Sequence, residues 1–356
     1  MKIMYSFNIL PNEIKEIIIS LTKNKVVILC LVNKWFNNNS KIIRIIDNYK
    51  YPYIKNEHLK VLINLTSLNL SYNNKIITDK GLKGLINLKT LNLYKNKTIT
   101  NEGIKGLINL TCLNLSDNEV ITNEGIKGLI NLTSVDLHGN NIITDEGIKE
   151  LINLKILNLY YNKIITNEGL KGLINLTSLN LSNNKITDEG IKGMINLTTL
   201  MLCCNKVITN EGIKGLTNLT CLNLSDNTKI TDKTIKDLIY LTSISLCDNK
   251  LITDKGIKSL INITDLNLIN NEIITDEGIK YLTKLKSLNL CDSKKITDEG
   301  MKNLTKLKTL NLNSNDMITN EGIKRLIKLT SLHLSENHKI TQEGLKYLVN
   351  IQNISY

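Results

Sequence analysis

The chain has 356 residues, with 45 Lys and Arg against 33 Asp and Glu, and a formal net charge of +12. It contains no alanine, and Arg44 and Arg325 are its only arginines, so lysine supplies nearly all the positive charge. Readers of nucleic acid rely on Arg for bidentate contacts to bases and phosphates, and its scarcity argues against that class.

Length alone suggests two domains. The dominance of Ile, Asn, Lys and Leu matches AT-rich coding, which accounts for part of the charge without invoking an anionic partner. Apolar residues come in short, regularly broken runs, which predicts no transmembrane helix and no membrane role. Lys2 and a short apolar stretch are followed at once by Pro11-Asn12-Glu13, a poor signal peptide. Seven cysteines, an odd number without a pairing pattern, fit a reduced, intracellular chain, expected in the cytoplasm (a host cytoplasm if the source is viral).

The N-terminal segment, 1–56, stands apart. All 19 glycines fall at Gly81 or later, whereas Trp35, Phe7, Phe36, Pro11 and Pro52 all precede residue 53. Nine basic and three acidic residues put +6, half the net charge, on this segment. Pro11-Asn12-Glu13 opens a helical stripe of Ile14, Ile17, Ile18 and Leu21 at i, i+3, i+4, i+7 spacing. A second apolar run spans Val26 to Val32. Ile43 and Ile46 lie one repeat length before Leu65 and Leu68, so 41–64 reads as a degenerate capping repeat.

The residues Leu10-Pro11-x-Glu13-Ile14, Ile17-Ile18-x-Ser20-Leu21, Leu29 and Val32-Asn33-Lys34-Trp35-Phe36 resemble an F-box, contained within 1–40. The spacing from Ser20 to Phe36 is slightly short of the family pattern. The resemblance implies a helical module that docks on a Skp-type adaptor coupled to a cullin ubiquitin ligase, through Leu10, Pro11, Ile14, Ile17, Ile18, Leu21, Val32 and Phe36. Read from the residues alone, the same stretch also serves as a helical cap for the repeats.

From Leu65 onward the chain repeats itself. A central apolar residue recurs at Leu68, Leu91, Leu113, Val135, Leu157, Leu179, Leu200, Leu222, Ile244, Leu266, Leu288, Leu310 and Leu332, at steps of 21 to 23. Each unit reads L-x-x-L-x-L-x-x-N, then I-T-[DN]-x-G-I-K-x-L. The L-x-L stretch alternates at period two, so it predicts a strand with Leu68 and Leu70 inward and Asn69 outward. The asparagine column, Asn73 to Asn337 with Ser293 as its one exception, is placed to bond backbone where each strand ends. The second half predicts a short helix capped by Thr78, Thr100 and their equivalents. Its recurring glycine predicts a close approach to neighbouring backbone. A unit this small cannot bury its own apolar face, so neighbours must stack.

These motifs resemble the leucine-rich repeat family over about residues 57–356. The resemblance implies an α/β solenoid over 65–356: a curved parallel sheet with short outer helices, about 13 repeats, each of roughly 22 residues. The I-T-D-E-G half-repeat is also similar to those of F-box/leucine-rich-repeat proteins. The function this implies is substrate recruitment to a ubiquitin ligase, with a protein target held on the open strand face. The alternative is a stand-alone protein-binding module, an inhibitor or decoy without a ligase link.

On the open face, residues not fixed by the fold should report function. Tyr94, His138, Tyr160, Tyr161 and Met201 are the anchors expected to meet a protein partner; drift on an unselected face is the competing account. The strand-face rows carry seven acids and one lysine, so they do not share the global positive charge. A lysine column from Lys83 to Lys346 is largely matched by Glu three residues earlier, as in Glu102–Lys105. The N-x-S/T sequons, such as Asn109-Leu-Thr111, are by-products of the repeat. No nucleophile–base pair, phosphate loop or metal-ligand spacing stands out, so no enzymatic activity, cofactor or metal is expected.

Overall fold

The computed structural model describes residues 45–47, 54–72 and 76–356. The chain forms two compact units, Met1–Leu157 and Asn158–Tyr356. In the first, the strands are β1 (Ile45–Asp47), β2 (Ser67–Asn69), β3 (Thr90–Asn92), β4 (Cys112–Asn114) and β5 (Ser134–Asp136). They pair in parallel and in sequence order, with Ile46 opposite Leu68, Leu68 opposite Leu91 and Leu113 opposite Val135. β6 (Ile156–Asn158) lies at the junction. The second unit carries β7 (Ser178–Asn180), β8 (Thr199–Met201), β9 (Cys221–Asn223), β10 (Ser243–Ser245), β11 (Asp265–Asn267), β12 (Ser287–Asn289), β13 (Thr309–Asn311), β14 (Ser331–His333) and β15 (Asn353–Ser355), again parallel and in register.

Each unit is therefore a solenoid with a strand ladder on one side and one-turn helices, such as Asn101–Ile104, on the other. The alternating leucines do what period two demands. Leu91 and Leu93 are fully buried, while Asn92 between them is half-buried on the open face. Each buried Leu or Ile is worth roughly 1.5–3 kcal/mol, and only stacking makes that burial complete.

The asparagine column is a ladder with up to four bonds per rung. Asn118, 1% exposed, donates from Nδ2 to the carbonyls of Leu93 (3.0 Å) and Asn96 (2.9 Å), and its Oδ1 accepts from the backbone N–H of Val120 and Ile121. Ser293 makes one bond, from Oγ to the Asn271 carbonyl at 3.1 Å. Ser293→Asn should therefore stabilise the second unit by about 1 kcal/mol, read as a raised urea midpoint. An unchanged or lowered midpoint would refute that account of the rung.

A second ladder joins the helix side. Asp or Asn residues that open a helix reach the Thr one repeat later. Asp79 Oδ1 accepts from Thr100 N–H at 2.8 Å and Oδ2 from its hydroxyl at 2.7 Å. Asn101 Oδ1 accepts from Thr122 N–H, but its Nδ2 donates to the Thr122 hydroxyl. This difference decides the cap. Thr100, Thr209, Thr253, Thr275, Thr297 and Thr319, each bonded to a preceding Asp, accept a backbone N–H of their own helix. Thr78, Thr122, Thr144, Thr187, Thr231 and Thr341, each bonded to a preceding Asn, do not. A hydroxyl that donates to a carboxylate keeps its lone pairs free for the helix; one that accepts from an amide has turned them away. The expectation that every such Thr caps its helix is corrected accordingly.

The glycine expectation is corrected as well. At Gly125 an added Cβ would lie 2.5 Å from Asn101 Oδ1. The crowding neighbour is thus the bonded Asx side chain of the preceding repeat, not backbone. A third set of rungs explains the sequons: Asn109 Nδ2 donates to the Ile86 carbonyl, and Asn131 Nδ2 to that of Ile108.

Candidate functional site

The open strand face is less free of structural demands than its polarity suggests. In the row of Asn69, the side chain accepts the backbone N–H two residues on. Asn92 takes Tyr94 N–H at 2.9 Å, Asp136 takes His138 N–H at 3.0 Å, and Asn223 takes Ser225 N–H at 2.9 Å. Nearly the whole row is therefore fixed by a local Asx bond. Met201 breaks the rule, and Cys203 N–H turns instead to Ser182 Oγ at 3.2 Å. His333 also breaks it, bonding Ser355 Oγ through Nδ1 at 2.7 Å.

The row that closes each strand turn is held in left-handed backbone. It comprises Tyr72, Lys95, Asp117 and Gly139 in the first unit. The second has Tyr161, Asn183, Cys204, Asp226, Asp248, Asn270, Asp292, Ser314 and Glu336. Gly, Asn and Asp occupy this conformation at little cost, whereas other residues lose roughly 1–2 kcal/mol. Tyr72 (φ 58°) and Tyr161 (φ 55°) are bulky residues held there, and both are exposed.

In the first unit, Tyr72 meets Tyr94 edge-on with ring centroids 5.0 Å apart. Lys95 lies 5.1 Å from the Tyr94 ring and 3.7 Å from Asp117. A hydrogen bond from Lys95, seconded by Tyr72, draws the Tyr94 phenol below its usual range, and the same bond raises Lys95. His138 sits on the same face, its N–H fixed by Asp136. In the second unit, Tyr160 and Tyr161 pack at 6.3 Å, and Lys163 stands 4.6 Å over the Tyr161 ring. Met201 is half-buried on that unit's strand face. Thus Tyr94 and His138 belong to one unit, and Tyr160, Tyr161 and Met201 to the other. Tyr72, Lys95 and Lys163 are members that sequence reasoning did not single out. For Tyr72 and Lys95 the signal was their place in the row shared with Gly139 and Asn183, where glycine and Asx mark left-handed backbone.

The six cysteines of the strand face are free thiols. Burial, then a hydrogen bond to Asp248, pushes Cys247 up to about 12; burial, then the Cys204 sulfur 3.5 Å away, pushes Cys203 up to about 11. Both stay protonated at neutral pH, so neither is an activated nucleophile. Among the described residues, no group of three or more His, Cys, Asp and Glu is placed to hold a metal, and no helix is long and apolar enough to cross a membrane. On the helix side, Lys105, Lys149, Lys171, Lys280 and Lys302 pair with the Glu three residues earlier, at 2.5 to 2.8 Å. The adaptor-binding set expected at Leu10, Pro11, Ile14, Ile17, Ile18, Leu21, Val32 and Phe36 lies outside the described residues.

The "Leucine Rich repeat" family model matches twelve segments, which run from 61 to 195 and from 215 to 349. The chain belongs to the leucine-rich repeat family, a class of protein-interaction scaffolds. The matched segments do not include Leu10–Phe36. Among solved structures, a leucine-rich repeat protein of Leptospira interrogans is 27% identical, with a TM-score of 0.58 over 90% of this chain and 97% of that one. A chain of the Drosophila Toll–Spatzle complex is 18% identical at TM-score 0.52, over 84% of this chain and 43% of that one, and shares the fold alone. An internalin of Listeria monocytogenes is 24% identical at TM-score 0.49, over 90% of this chain and 88% of that one. No curated protein matches the sequence.

Proposed function

We propose that the protein binds a protein partner on its open strand face, with paired tyrosines as anchors. The observation that carries this reading is Tyr161, exposed in left-handed backbone where Asn, Asp or Gly would cost less. Backbone strain held at an exposed aromatic motivates the reading that the side chain serves binding. Tyrosine buries a large area at small entropic cost and is over-represented among interface anchors. The Toll–Spatzle structure, one chain of which shares this fold, is a complex between proteins, in keeping with a protein partner.

The test is Tyr160→Ser with Tyr161→Asn. Relief of the left-handed tyrosine should raise stability by about 1 kcal/mol, while proteins captured by the wild-type chain from its native cells are lost. Undiminished capture of every partner by the stabilised variant would reject the tyrosine anchors.

We further propose that the chain recruits its partner to a Skp–cullin ubiquitin ligase in the cytoplasm. What supports this is the Leu10-Pro11-x-Glu13-Ile14 to Phe36 pattern standing before leucine-rich repeats. In that reading the protein is a scaffold, lowering the entropy of bringing target lysines to a charged ubiquitin carrier. Co-purification of the full chain with a Skp-type adaptor tests it, and Leu10→Ala with Pro11→Ala should abolish the complex. Failure of the unaltered chain to bind any adaptor leaves the stand-alone binding module.

A further inference from the structure

The helix side of the second unit carries an interruption of its acid–base pattern. In most repeats the second helical residue is Glu, and it pairs with the Lys three residues on: Glu189 with Lys192, Glu277 with Lys280, Glu299 with Lys302. In two consecutive repeats that Glu is Lys. The helices Asp232–Ile235 and Asp254–Ile257 lie side by side, and their turns present Lys233, Lys236, Lys255 and Lys258, all exposed. Lys236, Lys255 and Lys258 have no ion-pair partner among the described residues, and Lys233 only reaches Glu211, at 3.9 Å. The two aspartates of these helices keep their charge beside the patch, but their oxygens are turned to threonines and neither forms an ion pair with the four lysines. Asp232 is held by Thr253 N–H and hydroxyl, and Asp254 by those of Thr275. Asp237 is the one other acid of these two helical turns, and it is exposed.

We propose that this patch docks a short acidic segment of a protein partner, independently of the strand face. Four ammonium groups within two repeats, about 10 Å along the solenoid, concentrate positive charge between neighbouring repeats of the second unit whose lysines are paired with Glu. The flanks select the occupant. Glu211 in the repeat before and Glu277 in the repeat after border the patch. A flat anionic bilayer, or a polynucleotide running along the helices, would press against those acids; a segment of a few Asp or Glu residues lies between them. Lysine also supplies point charges rather than the planar fork that phosphate-rich partners favour.

The test exploits the repeat itself. Lys233→Glu with Lys255→Glu restores the residue that neighbouring repeats carry and recreates the pairs with Lys236 and Lys258, so the fold should be kept or slightly strengthened. The full chain is titrated with a fluorescent octaglutamate peptide, an octaglutamine peptide, phosphatidylserine vesicles and oligothymidylate. Octaglutamate should bind and octaglutamine should not. Octaglutamate binding should weaken as salt shortens the screening length, and weaken about tenfold further in the double variant. The charge-matched control Lys306→Glu with Lys328→Glu should stay within twofold of wild type. Equal binding of octaglutamine, equal loss in the control, no effect of the double variant, or tighter binding of vesicles or oligonucleotide than of octaglutamate would overturn the proposal.

Discussion

Asn118→Ala should lower the stability of the first unit by about 3 kcal/mol, a large loss for a single polar truncation. The side chain is 1% exposed and makes four bonds, two to carbonyls of the preceding repeat and two from its own loop. Alanine leaves two donors and two acceptors without their partner in a space that excludes water. Each such bond contributes about 0.5–1.5 kcal/mol net, and an orphaned buried group costs more. Because repeats hold only their neighbours, the damage should be local. Hydrogen exchange of the Val120 and Ile121 amides should lose most of its protection, while amides in the second unit keep theirs. The urea midpoint reports the global loss. A loss below about 1 kcal/mol, with Val120 and Ile121 still protected, would mean that another group satisfies the rung.

The ladder at Asn118 was legible in the sequence because one residue type fills nearly every equivalent position and because L-x-L fixes the faces on either side. The ladder from Asp276 to Thr297 was not. Its residues already form a complete local signature, Thr as helix cap and Asp in the first turn, so nothing in the sequence asked for a partner one repeat away. The structure shows that both roles hold where the partner is Asp, and only the distant one where it is Asn. The Asn92 row misled in the opposite direction. Polar residues on an open face read as unconstrained, yet the side chain of Asn92 fixes Tyr94 N–H and so belongs to the fold. Tyr94, His138 and Tyr160 therefore carry more information about function than their asparagine neighbours. Tyr161 gains weight for another reason: its backbone angle is invisible in its own residue type and shows only through Gly139 and Asn183 in equivalent places. The Glu–Lys pairing of the helix column is legible in the sequence, and against it Lys80, Lys233 and Lys255 stand out, the last two in adjacent repeats.

Gly300→Ala should cost about 2 kcal/mol, against the usual rule that Ala in a helix is worth about 1 kcal/mol more than Gly. The glycine backbone is ordinary here, so the cost is steric. A Cβ would stand 2.5 Å from Asp276 Oδ1 and 3.2 Å from Ile296 Cγ2. Asp276 cannot swing aside freely, because it holds both the N–H and the hydroxyl of Thr297 at 2.8 Å, and Thr297 in turn caps its helix through Glu299 N–H. A double-mutant cycle separates the clash from propensity. In an Asp276→Ala background the carboxylate is gone, so Gly300→Ala should turn neutral or stabilising. If it remains equally destabilising there, the side chains of Ile279 and Ile296, rather than the carboxylate, set the cost.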